Sequence, residues 1–369
     1  MANLALYRKH RPQTFSEIVG QEHVVKTLSN ALSSNTVSHA YIFSGPRGSG
    51  KTTIARILAK SVNCRNRQEG HFEPCDNCSS CQEIKQGKSL DLIEIDAASN
   101  RGIDEIRELR EGIKFSPNKE KYKVFVIDEC HMLTKEAVNA LLKTLEEPPS
   151  HAIFILATTE IHKMITTIIS RCQRFDFRKL TLPEIVKRLE TISKKEGAKI
   201  EKPALELIAL NSSGAVRDAE SLLDQVLAFS GPEAEEIKKE GVKELLGLAD
   251  TGLTAEFVSF IAKKDSRGAI GFLENAFEKG YDPQEFAKSL VSYLRQAMLL
   301  KINPAAQNPM ILGLTKEEQE KMSLQINSLD QKEIQKAINL FMEAENKMKY
   351  SSIPELPLEI ALVDLLEES

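Results

Sequence analysis

Short apolar segments alternate with helical periods between residues 40 and about 180 of the chain. Four segments rich in Ile, Val and Phe predict β-strands: AYIFSG, DLIEIDA, KVFVIDE and AIFILATT. Between them, apolar residues recur on one helical face, most clearly at Val138, Leu141, Leu142 and Leu145. Thr134 is placed to cap that helix, which ends before Pro148. Alternating helices and almost wholly apolar strands predict a parallel sheet covered on both faces.

After residue 180 the pattern predicts helices only. Three helical segments form a small unit up to residue 231, and the charged stretch GPEAEEIKKEG is interpreted as a linker. Beyond it, Asp282 and Pro283 open one helix. The buried face of another is marked by Ile334, Ala337, Ile338 and Phe341.

The predicted fold is therefore α/β plus all-α, in three domains. A nucleotide-binding domain with a parallel sheet covers residues 1–179, a helical lid domain covers 180–241, and a helical C-terminal domain covers 242–369. The length of 369 residues agrees with this number, because it exceeds what one ordinary core holds.

Charge and hydropathy limit the classes of protein that fit. The 49 Lys and Arg residues against 53 Asp and Glu residues give a net charge of −4, whereas a stand-alone nucleic-acid-binding protein is usually basic. Contact with DNA or RNA would then need a local patch or several chains together. No apolar run is long enough to span a membrane and no secretory signal is evident, so we expect a protein of the cytosol, without disulfides.

A glycine-rich motif follows the first predicted strand. GPRGSGKT fits the phosphate-binding pattern G-x-x-x-x-G-K-[ST] and precedes an amphipathic helix that begins near Lys51. Lys51 is expected to contact the β- and γ-phosphates of ATP, and the Thr52 hydroxyl to ligate Mg²⁺. The candidate nucleotide-binding residues are Gly45, Pro46, Arg47, Gly48, Ser49, Gly50, Lys51, Thr52 and Thr53.

Two adjacent acids end the third predicted strand, in KVFVIDECH. This edge of an open α/β sheet is where ligands bind, so Asp128 is expected to support Mg²⁺ and Glu129 to polarise the attacking water. The D-E-x-H box also suggests a nucleic-acid helicase. Helicases of that type need a second sheet domain to complete the ATP site, and the absence of a strand pattern after residue 180 argues against one.

Eight motifs occur together and in order. They are RPQTFSEIVGQEHV, the phosphate-binding loop, ASNRGIDEIREL, VFVIDECHML, NALLKTLEEPP, LATTE, SRCQRF and GAVRDAESLLDQ. In this set the chain resembles the ATPase motor of the bacterial DNA polymerase III clamp loader, the tau/gamma family of the AAA+ superfamily. The resemblance covers residues 4 to about 230, and the helical remainder agrees with the family in length and class only.

The resemblance implies roles for three further residues. Thr159 in LATTE matches the family's first sensor, with its neighbour Thr158 as the alternative. Arg217 in GAVRDA matches the second sensor, which the lid points at the γ-phosphate; an ordinary surface arginine is the alternative. Arg171 in SRC matches the arginine finger, which completes the ATP site of a neighbouring subunit. The implied catalytic set is Lys51, Asp128, Glu129, Thr159, Arg171 and Arg217.

Four of the six cysteines follow one another at C-x10-C-x2-C-x2-C: Cys64, Cys75, Cys78 and Cys81. This spacing lets four thiolates converge on one Zn²⁺ and leaves no open coordination position, which predicts a structural site. An iron–sulfur cluster is the alternative, and the family resemblance also implies zinc. Because RNRQEGHFEP holds one Phe and no aliphatic residue, residues 64–84 are interpreted as a metal-closed surface insertion outside the chemistry.

The implied function is that of an ATP-binding and ATP-hydrolysing motor subunit, without a polymerase active site. It would open a sliding clamp and load it on primed DNA during replication in the bacterial cytosol. The implied partners are other clamp-loader subunits, the sliding clamp and primer-template DNA. The C-terminal collar domain would hold the subunits together in a hetero-oligomer, and self-association is a further option. ATP, Mg²⁺ and Zn²⁺ are the expected cofactors. Basic residues that either contact DNA or form a solvated face are Arg101, Arg107, Arg110 and Lys114.

Two other functions are less consistent with the sequence. A non-hydrolysing subunit of the same machine typically has a damaged phosphate-binding loop, whereas Lys51 and Glu129 are both present here. A different AAA+ motor, such as one that drives branch migration, would not be expected to combine the thiol cluster with the SRC motif.

Overall fold

In the computed structural model the described residues are 4–99, 112–113, 115–231, 236–245, 251–303, 316–327 and 329–367. The chain divides into two compact units. The first is formed by Met1–Lys195 and Asn211–Gln225, and the second by Glu196–Leu210 and Val226–Ser369. The three domain ranges expected from the sequence stay a prediction.

The first unit contains a five-stranded parallel sheet. Its strands are β1 (Ala40–Ser44), β2 (Leu92–Asp96), β3 (Lys123–Asp128), β4 (Ala152–Thr158) and β5 (Gln173–Asp176), in the spatial order β2-β3-β4-β1-β5. All four pairings are parallel, which confirms the predicted sheet type. Strand β5 adds to the four predicted strands. Only Phe175 of β5 is buried, so the segment has no apolar run to reveal it.

Helices cover both faces of the sheet. On one face, Phe43 of β1 belongs to a buried cluster with Ile54 and Leu58, residues of the helix that follows the phosphate-binding loop. On the other face, Phe125 and Phe154 stack with their ring centroids 5.3 Å apart. They belong to a second buried cluster, which includes residues of the α-helix that follows β3. Every residue of β1 and β4 is buried, because these strands lie inside the sheet.

Seven α-helices of the described residues lie before, between and after the strands, up to residue 196. They are α1 (Leu6–Lys9), α2 (Glu22–Ser33), α3 (Lys51–Asn63), α4 (Ser79–Lys85), α5 (Lys135–Glu146), α6 (Thr166–Ile169) and α7 (Leu182–Glu196). Short 3-10 helices cover Phe15–Glu17, Cys130–Met132 and Ile161–Lys163. The predicted cap of α5 is confirmed, since the Thr134 side chain accepts a hydrogen bond of 3.2 Å from Ala137 N.

From residue 197 onward the described chain is helical, apart from a bridge between Ile200 and Ile237. The helices are α8 (Lys202–Asn211), α9 (Val216–Ser230), α10 (Lys239–Leu245), α11 (Thr251–Ala262), α12 (Ser266–Glu278), α13 (Pro283–Ile302), α14 (Lys316–Asn327), α15 (Gln331–Met348) and α16 (Leu356–Glu367). Asp282 caps α13 as predicted, by accepting from Glu285 N at 2.8 Å. The predicted stripe on α15 is buried at Ile334, Ala337 and Phe341.

Candidate nucleotide-binding site

The phosphate-binding loop begins where β1 ends. A Cβ atom at Gly45 would lie 2.4 Å from the carbonyl oxygen of Phe177, so a larger residue would require the chain after β5 to move. Gly50, at the N-cap of α3, has a φ of 99°, which glycine adopts without strain. These two glycines let the loop turn over the N-terminus of α3, where backbone N–H groups have no partner within the helix.

Lys51 is the first residue of α3 and is buried. Its ammonium group donates hydrogen bonds to the carbonyl oxygens of Gly45 and Pro46, at 2.8 and 3.0 Å. Burial lowers the pKa of Lys51, and the carboxylates of Glu129 and Asp128 oppose this effect. A cation held at the loop in this way suits an anionic ligand, because charges attract more strongly where water is largely removed.

The next residue of α3 faces the end of β3. Thr52 Oγ1 donates a hydrogen bond of 2.7 Å to Asp128 Oδ2, although 76 residues separate them in the chain. A hydroxyl oxygen and a carboxylate oxygen side by side are ligands that Mg²⁺ uses together with phosphate oxygens. The donor set of Thr52 and Asp128 therefore fits a magnesium ion.

Glu129 follows β3 in the left-handed backbone conformation, with a φ of 47°. This conformation is uncommon for residues other than glycine and is found where the surrounding structure fixes a functional side chain. Glu129 Oε2 accepts hydrogen bonds from Thr159 Oγ1 at 2.9 Å and Thr159 N at 3.2 Å. The carboxylate expected to polarise water is thus held by the residue that follows β4.

Thr158, the alternative to Thr159, has a different partner. It is the buried last residue of β4, and its Oγ1 lies 3.0 Å from His131 Nδ1. His131 Nδ1 lies 3.4 Å from Glu129 Oε2, and His131 Nε2 lies 3.1 Å from Glu160 Oε2. Thr159 therefore contacts Glu129 directly, whereas Thr158 reaches it through His131. His131 is the last residue of the D-E-x-H box, but no role in the site was predicted for it from the sequence.

A cavity of about 480 Å³ within the first unit is lined by Lys51, Thr52, Asp128 and Glu129. Its volume is that of a small-molecule site. The cavity is also lined by Tyr7, Arg11, Pro12, Glu17, Ile18, Val19, Leu180, Val216 and Arg217. Apart from Arg217, no role was predicted for these residues from the sequence. Those between Arg11 and Val19 lie in the motif RPQTFSEIVGQEHV, and Val216 lies in GAVRDAESLLDQ, but neither motif assigned them a contact. Tyr7 and Leu180 lie outside the eight motifs.

Arg217 lines the cavity from α9. Its guanidinium carbon lies 4.7 Å from the centre of the Tyr7 ring, which is a cation–π distance. Hydrogen bonds from Arg8 and then Arg217 lower the pKa of the Tyr7 hydroxyl. The structure therefore brings Arg217 to the cavity that also holds Lys51.

A buried ion pair lies at the same cavity and was missed by the sequence reasoning. Arg188 Nε donates to Glu220 Oε1 at 2.8 Å, and the two side chains are 8% and 7% exposed. Burial raises the pKa of Glu220, and the charge of Arg188 opposes this shift. The pair joins α7 to α9, so it fixes the helix that carries Arg217.

Arg171 lies apart from these residues. It follows α6 and is not among the residues that line the cavity. Its guanidinium donates to Glu146 Oε1 at 2.6 Å and to the carbonyl oxygen of Thr167 at 2.7 Å. The side chain is 33% exposed and thus lies at the surface of the first unit, away from the phosphate-binding loop of its own chain.

The four predicted metal ligands converge in what we call the cysteine module, residues 64–85. All four Sγ atoms lie within 4.8 Å of one another, and Cys75 Sγ is 4.0 Å from Cys81 Sγ. Four thiolates at about 2.3 Å from a tetrahedral Zn²⁺ would lie roughly 3.8 Å apart, so the donor set and spacing fit a closed metal site. Although burial opposes it, N–H groups of Asn77 and Cys78 lower the pKa of Cys75 to about 6, which favours the thiolate.

Two remaining expectations concern DNA and membranes. The residues considered for DNA contact lie outside the described residues: Arg101, Arg107, Arg110 and Lys114. Among the helices that the structure describes, none combines the length and the apolar character needed to cross a membrane.

Three family models match consecutive parts of the chain. Residues 20–181 match the DNA polymerase III delta subunit, and residues 184–232 match the ATPase lid domain of the DNA polymerase III clamp loader subunit. Residues 237–369 match domain III of DNA polymerase III subunits gamma and tau.

Curated relatives cover nearly the whole chain. It is 42% identical over 369 residues to DNA polymerase III subunit tau of Bacillus subtilis, which is 100% of this chain and 64% of that protein. It is 36% identical over 363 residues to DNA polymerase III subunit gamma of Buchnera aphidicola subsp. Schizaphis graminum, which is 98% of both. The chain also spans 62% of subunit gamma/tau of Mycobacterium tuberculosis, at 37% identity. It therefore spans less than two thirds of the first of these relatives and almost all of the gamma subunit.

Solved structures share the fold. A RuvB variant of Thermotoga maritima superposes with a TM-score of 0.51 over 68% of this chain and 78% of that chain, at 23% identity. The RuvB Holliday junction branch migration motor of the same organism gives 0.50 over the same shares, at 22% identity. At this identity the likeness is one of fold and supports nothing about function.

Proposed function

The chain belongs to the gamma/tau subunit family of DNA polymerase III, and from that premise we propose that it is an ATP-binding and ATP-hydrolysing motor of the clamp loader. ATP binding and turnover then drive the opening of a sliding clamp and its loading on primed DNA during replication. The other clamp-loader subunits, the clamp and primer-template DNA are its partners, and the bacterial cytosol is its location.

One observation carries the proposal. The Thr52–Asp128 bond joins the start of α3 to the end of β3, and the Thr159–Glu129 bond joins the residues that follow β4 and β3. The cavity is lined by Lys51, Thr52, Asp128 and Glu129. A phosphate-binding loop, a pair of magnesium-type ligands and a fixed carboxylate are the parts that phosphoryl transfer to water requires. No sequence period brings these residues together, so their convergence is evidence independent of the family.

In the proposed reaction each of these side chains has one task. Lys51 and the N–H groups of the loop bind the β- and γ-phosphates and stabilise negative charge. Glu129 orients a water molecule for attack and takes up its proton, and Thr159 keeps the carboxylate in place. Arg217 approaches the γ-phosphate from α9. Thr52 and Asp128 would hold Mg²⁺, which supplies positive charge to the phosphate oxygens when bound.

Two parts of the proposal lie outside the cavity. Arg171 acts in trans, on the ATP bound by a neighbouring subunit, which fits its surface position beside Glu146. The four thiolates of the cysteine module would hold Zn²⁺, which would offset part of their negative charge and cross-link a loop with few apolar residues.

The test is ATPase activity of the purified chain, alone and with a sliding clamp plus primed DNA. We expect turnover that rises when both are added. Lys51→Ala should lose nucleotide binding, because it removes the charge that faces the phosphates, whereas Lys26→Ala, at an exposed position on α2, should behave as the wild type. A wild-type chain that neither binds nor hydrolyses ATP would refute the proposal.

A further inference from the structure

We infer that the cysteine module positions the segment of residues 11–19, which we call the strap, against the nucleotide cavity. The inference rests on the proposed function of that cavity. Glu73 and Asp76 of the module make the connection. Neither lines the cavity, so both are positioning residues that act through the strap.

The strap forms part of the cavity wall. Its cavity-lining residues are Arg11, Pro12, Glu17, Ile18 and Val19. The strap contains one 3-10 turn, Phe15–Glu17, whose N-cap residue Thr14 makes no capping hydrogen bond with its side chain. A turn this short satisfies few of its own N–H groups, so its position depends on contacts from elsewhere in the chain.

Glu73 supplies the missing cap. Its Oε2 accepts a hydrogen bond of 2.9 Å from Phe15 N, and its Oε1 accepts one of 2.7 Å from Ser16 N. Both oxygens of one carboxylate thus bind the first N–H groups of the turn, from 58 and 57 residues away in the chain. Bonds of this kind to an ionised carboxylate are stronger than neutral ones, and they fix the direction of the segment that follows.

A second connection runs through a buried lysine. Lys60, on the same helix as Lys51, is 1% exposed. Its ammonium donates at 3.0 Å to both the carbonyl oxygen and Oε1 of Gln13 in the strap, and it also pairs with the carboxylate of Asp76. A buried cation is destabilising without such partners. Lys60 therefore joins the strap to the module, and loss of either contact would lower the stability of the folded chain.

Asp76 is placed by the thiol cluster itself. It lies between Cys75 and Cys78 and has a φ of 50°, in the left-handed region. Its remaining carboxylate oxygen accepts from Lys85 at 3.1 Å, and its backbone carbonyl accepts from Gln82 at 2.6 Å. The position of this carboxylate therefore depends on the loop between Cys75 and Cys78 and on α4, which follows it.

An aromatic contact completes the attachment. The rings of Phe15 in the strap and Phe72 in the module lie 6.3 Å apart, and Phe15 is buried. Phe72 is the one large apolar side chain between Cys64 and Cys75. A module that opened on loss of its metal would withdraw three supports of the strap at once. This differs from the interpretation of the module as a surface insertion outside the chemistry.

Glu73→Ala tests the inference, with Glu69→Ala, an exposed glutamate of the same loop, as the matched control. Affinity is measured by titration with a fluorescent ATP analogue, well below the unfolding temperature of each variant. We expect a roughly fivefold to tenfold higher Kd for Glu73→Ala and no change for Glu69→Ala. Metal content should equal that of the wild type. The effect should appear in KM, with kcat within about twofold, because the residues of the chemistry are untouched.

The outcomes separate the two proposals. If the wild type binds nucleotide and a metal-loaded Glu73→Ala binds it equally well, the inference is wrong and the proposed function is unaffected. An equal loss in Glu69→Ala would also overturn it. If the wild type itself binds no nucleotide, the proposed function fails, and this inference fails with it.

A second measurement applies if Glu73→Ala does not fold. Glu73→Gln keeps one acceptor oxygen and should give an intermediate Kd. In the nucleotide-free chain, the amide hydrogens of Phe15 and Ser16 should exchange with solvent faster in Glu73→Gln than in Glu69→Gln, because one of them loses its acceptor. Equal exchange rates in the two variants would contradict the inference.

Discussion

The nucleotide cavity and the cysteine module hold polar side chains in place by different means. At the edge of the sheet beside the cavity, Ser44, Asp128 and Thr158 end three neighbouring strands whose preceding residues are largely buried. The apolar sheet therefore fixes the positions of the polar groups at its edge. In the module, the loop from Cys64 to Cys75 holds one Phe and no aliphatic residue. Its shape depends on the convergence of thiols and on charged contacts.

This difference separates chemistry from folding. A polar substitution at the strand ends removes a group from the reaction and leaves the sheet that carries it intact. A substitution at a thiol removes the element that orders its own loop, and it affects the cavity only through the strap. The following predictions test this separation, from the largest expected effect to the smallest.

Arg171→Ala should give the largest loss of ATPase activity, although Arg171 belongs to neither region. An arginine that stabilises the transferred phosphoryl group from a neighbouring subunit typically supplies 10³–10⁵ in rate. Arg171→Ala should therefore bind ATP almost normally and hydrolyse it poorly in the assembled clamp loader. Arg174→Ala is the matched control, because Arg174 is an exposed arginine on β5.

Mixed assemblies show whether Arg171 acts in trans. A Lys51→Ala chain has no working site of its own, yet it should still supply Arg171 to the active site of a neighbouring Arg171→Ala chain. The measurement is turnover in assemblies shown to contain both variants, compared with each variant alone. No gain in such co-assembled mixtures would rule out an arginine acting across the interface.

Glu129→Gln should separate binding from turnover inside the cavity. The amide cannot accept a proton from water, so we expect kcat to fall by about 10²–10⁴. Nucleotide affinity and the unfolding midpoint should stay close to those of the wild type, since the strand that precedes Glu129 is unchanged. Glu136→Gln, at an exposed position on α5, serves as the control. Equal turnover in Glu129→Gln and the wild type would remove Glu129 from the reaction.

Replacing Cys78 and Cys81 by Ser should affect folding first and the cavity second. We expect about one zinc ion per wild-type chain by elemental analysis and none in the double variant. The thermal unfolding midpoint should fall by roughly 5 °C or more. Nucleotide should still bind, with a severalfold higher Kd. Cys172→Ser, at a half-buried thiol outside the cluster, should keep the metal. Iron with visible absorbance in the wild type, or no metal in a fresh reduced sample, would contradict the zinc assignment.

The parts of the fold that could be predicted are those with a strong local signal. Strands β1, β3 and β4 are runs of apolar residues, and Thr134 and Asp282 are capping residues with a clear place before a helix. Strand β5 has no such signal. It lies at the edge of the sheet and buries one residue, so its sequence QRFD resembles a loop.

The site could be predicted where a motif has fixed spacing, as in the phosphate-binding loop and the cysteines. It could not be predicted where contacts join distant residues without a repeating pattern. The bonds from Glu73 to the strap span 57 and 58 residues, and the Arg188–Glu220 pair spans 32. Thr158 and Thr159 are chemically alike and adjacent, so only the geometry shows which of them contacts Glu129.

The strand order also determines when the site can form during synthesis. Strand β1 pairs with β4 and β5, which are made much later than β1. The ribosome adds about 130 residues between the end of β1 and the end of β5, which takes roughly 7–26 s at 5–20 residues per second. Through most of that interval β1 has neither neighbour, and Gly45 lacks the chain at Phe177 that later packs against it. A nascent chain therefore completes its phosphate-binding edge late, only after the whole sheet has been translated.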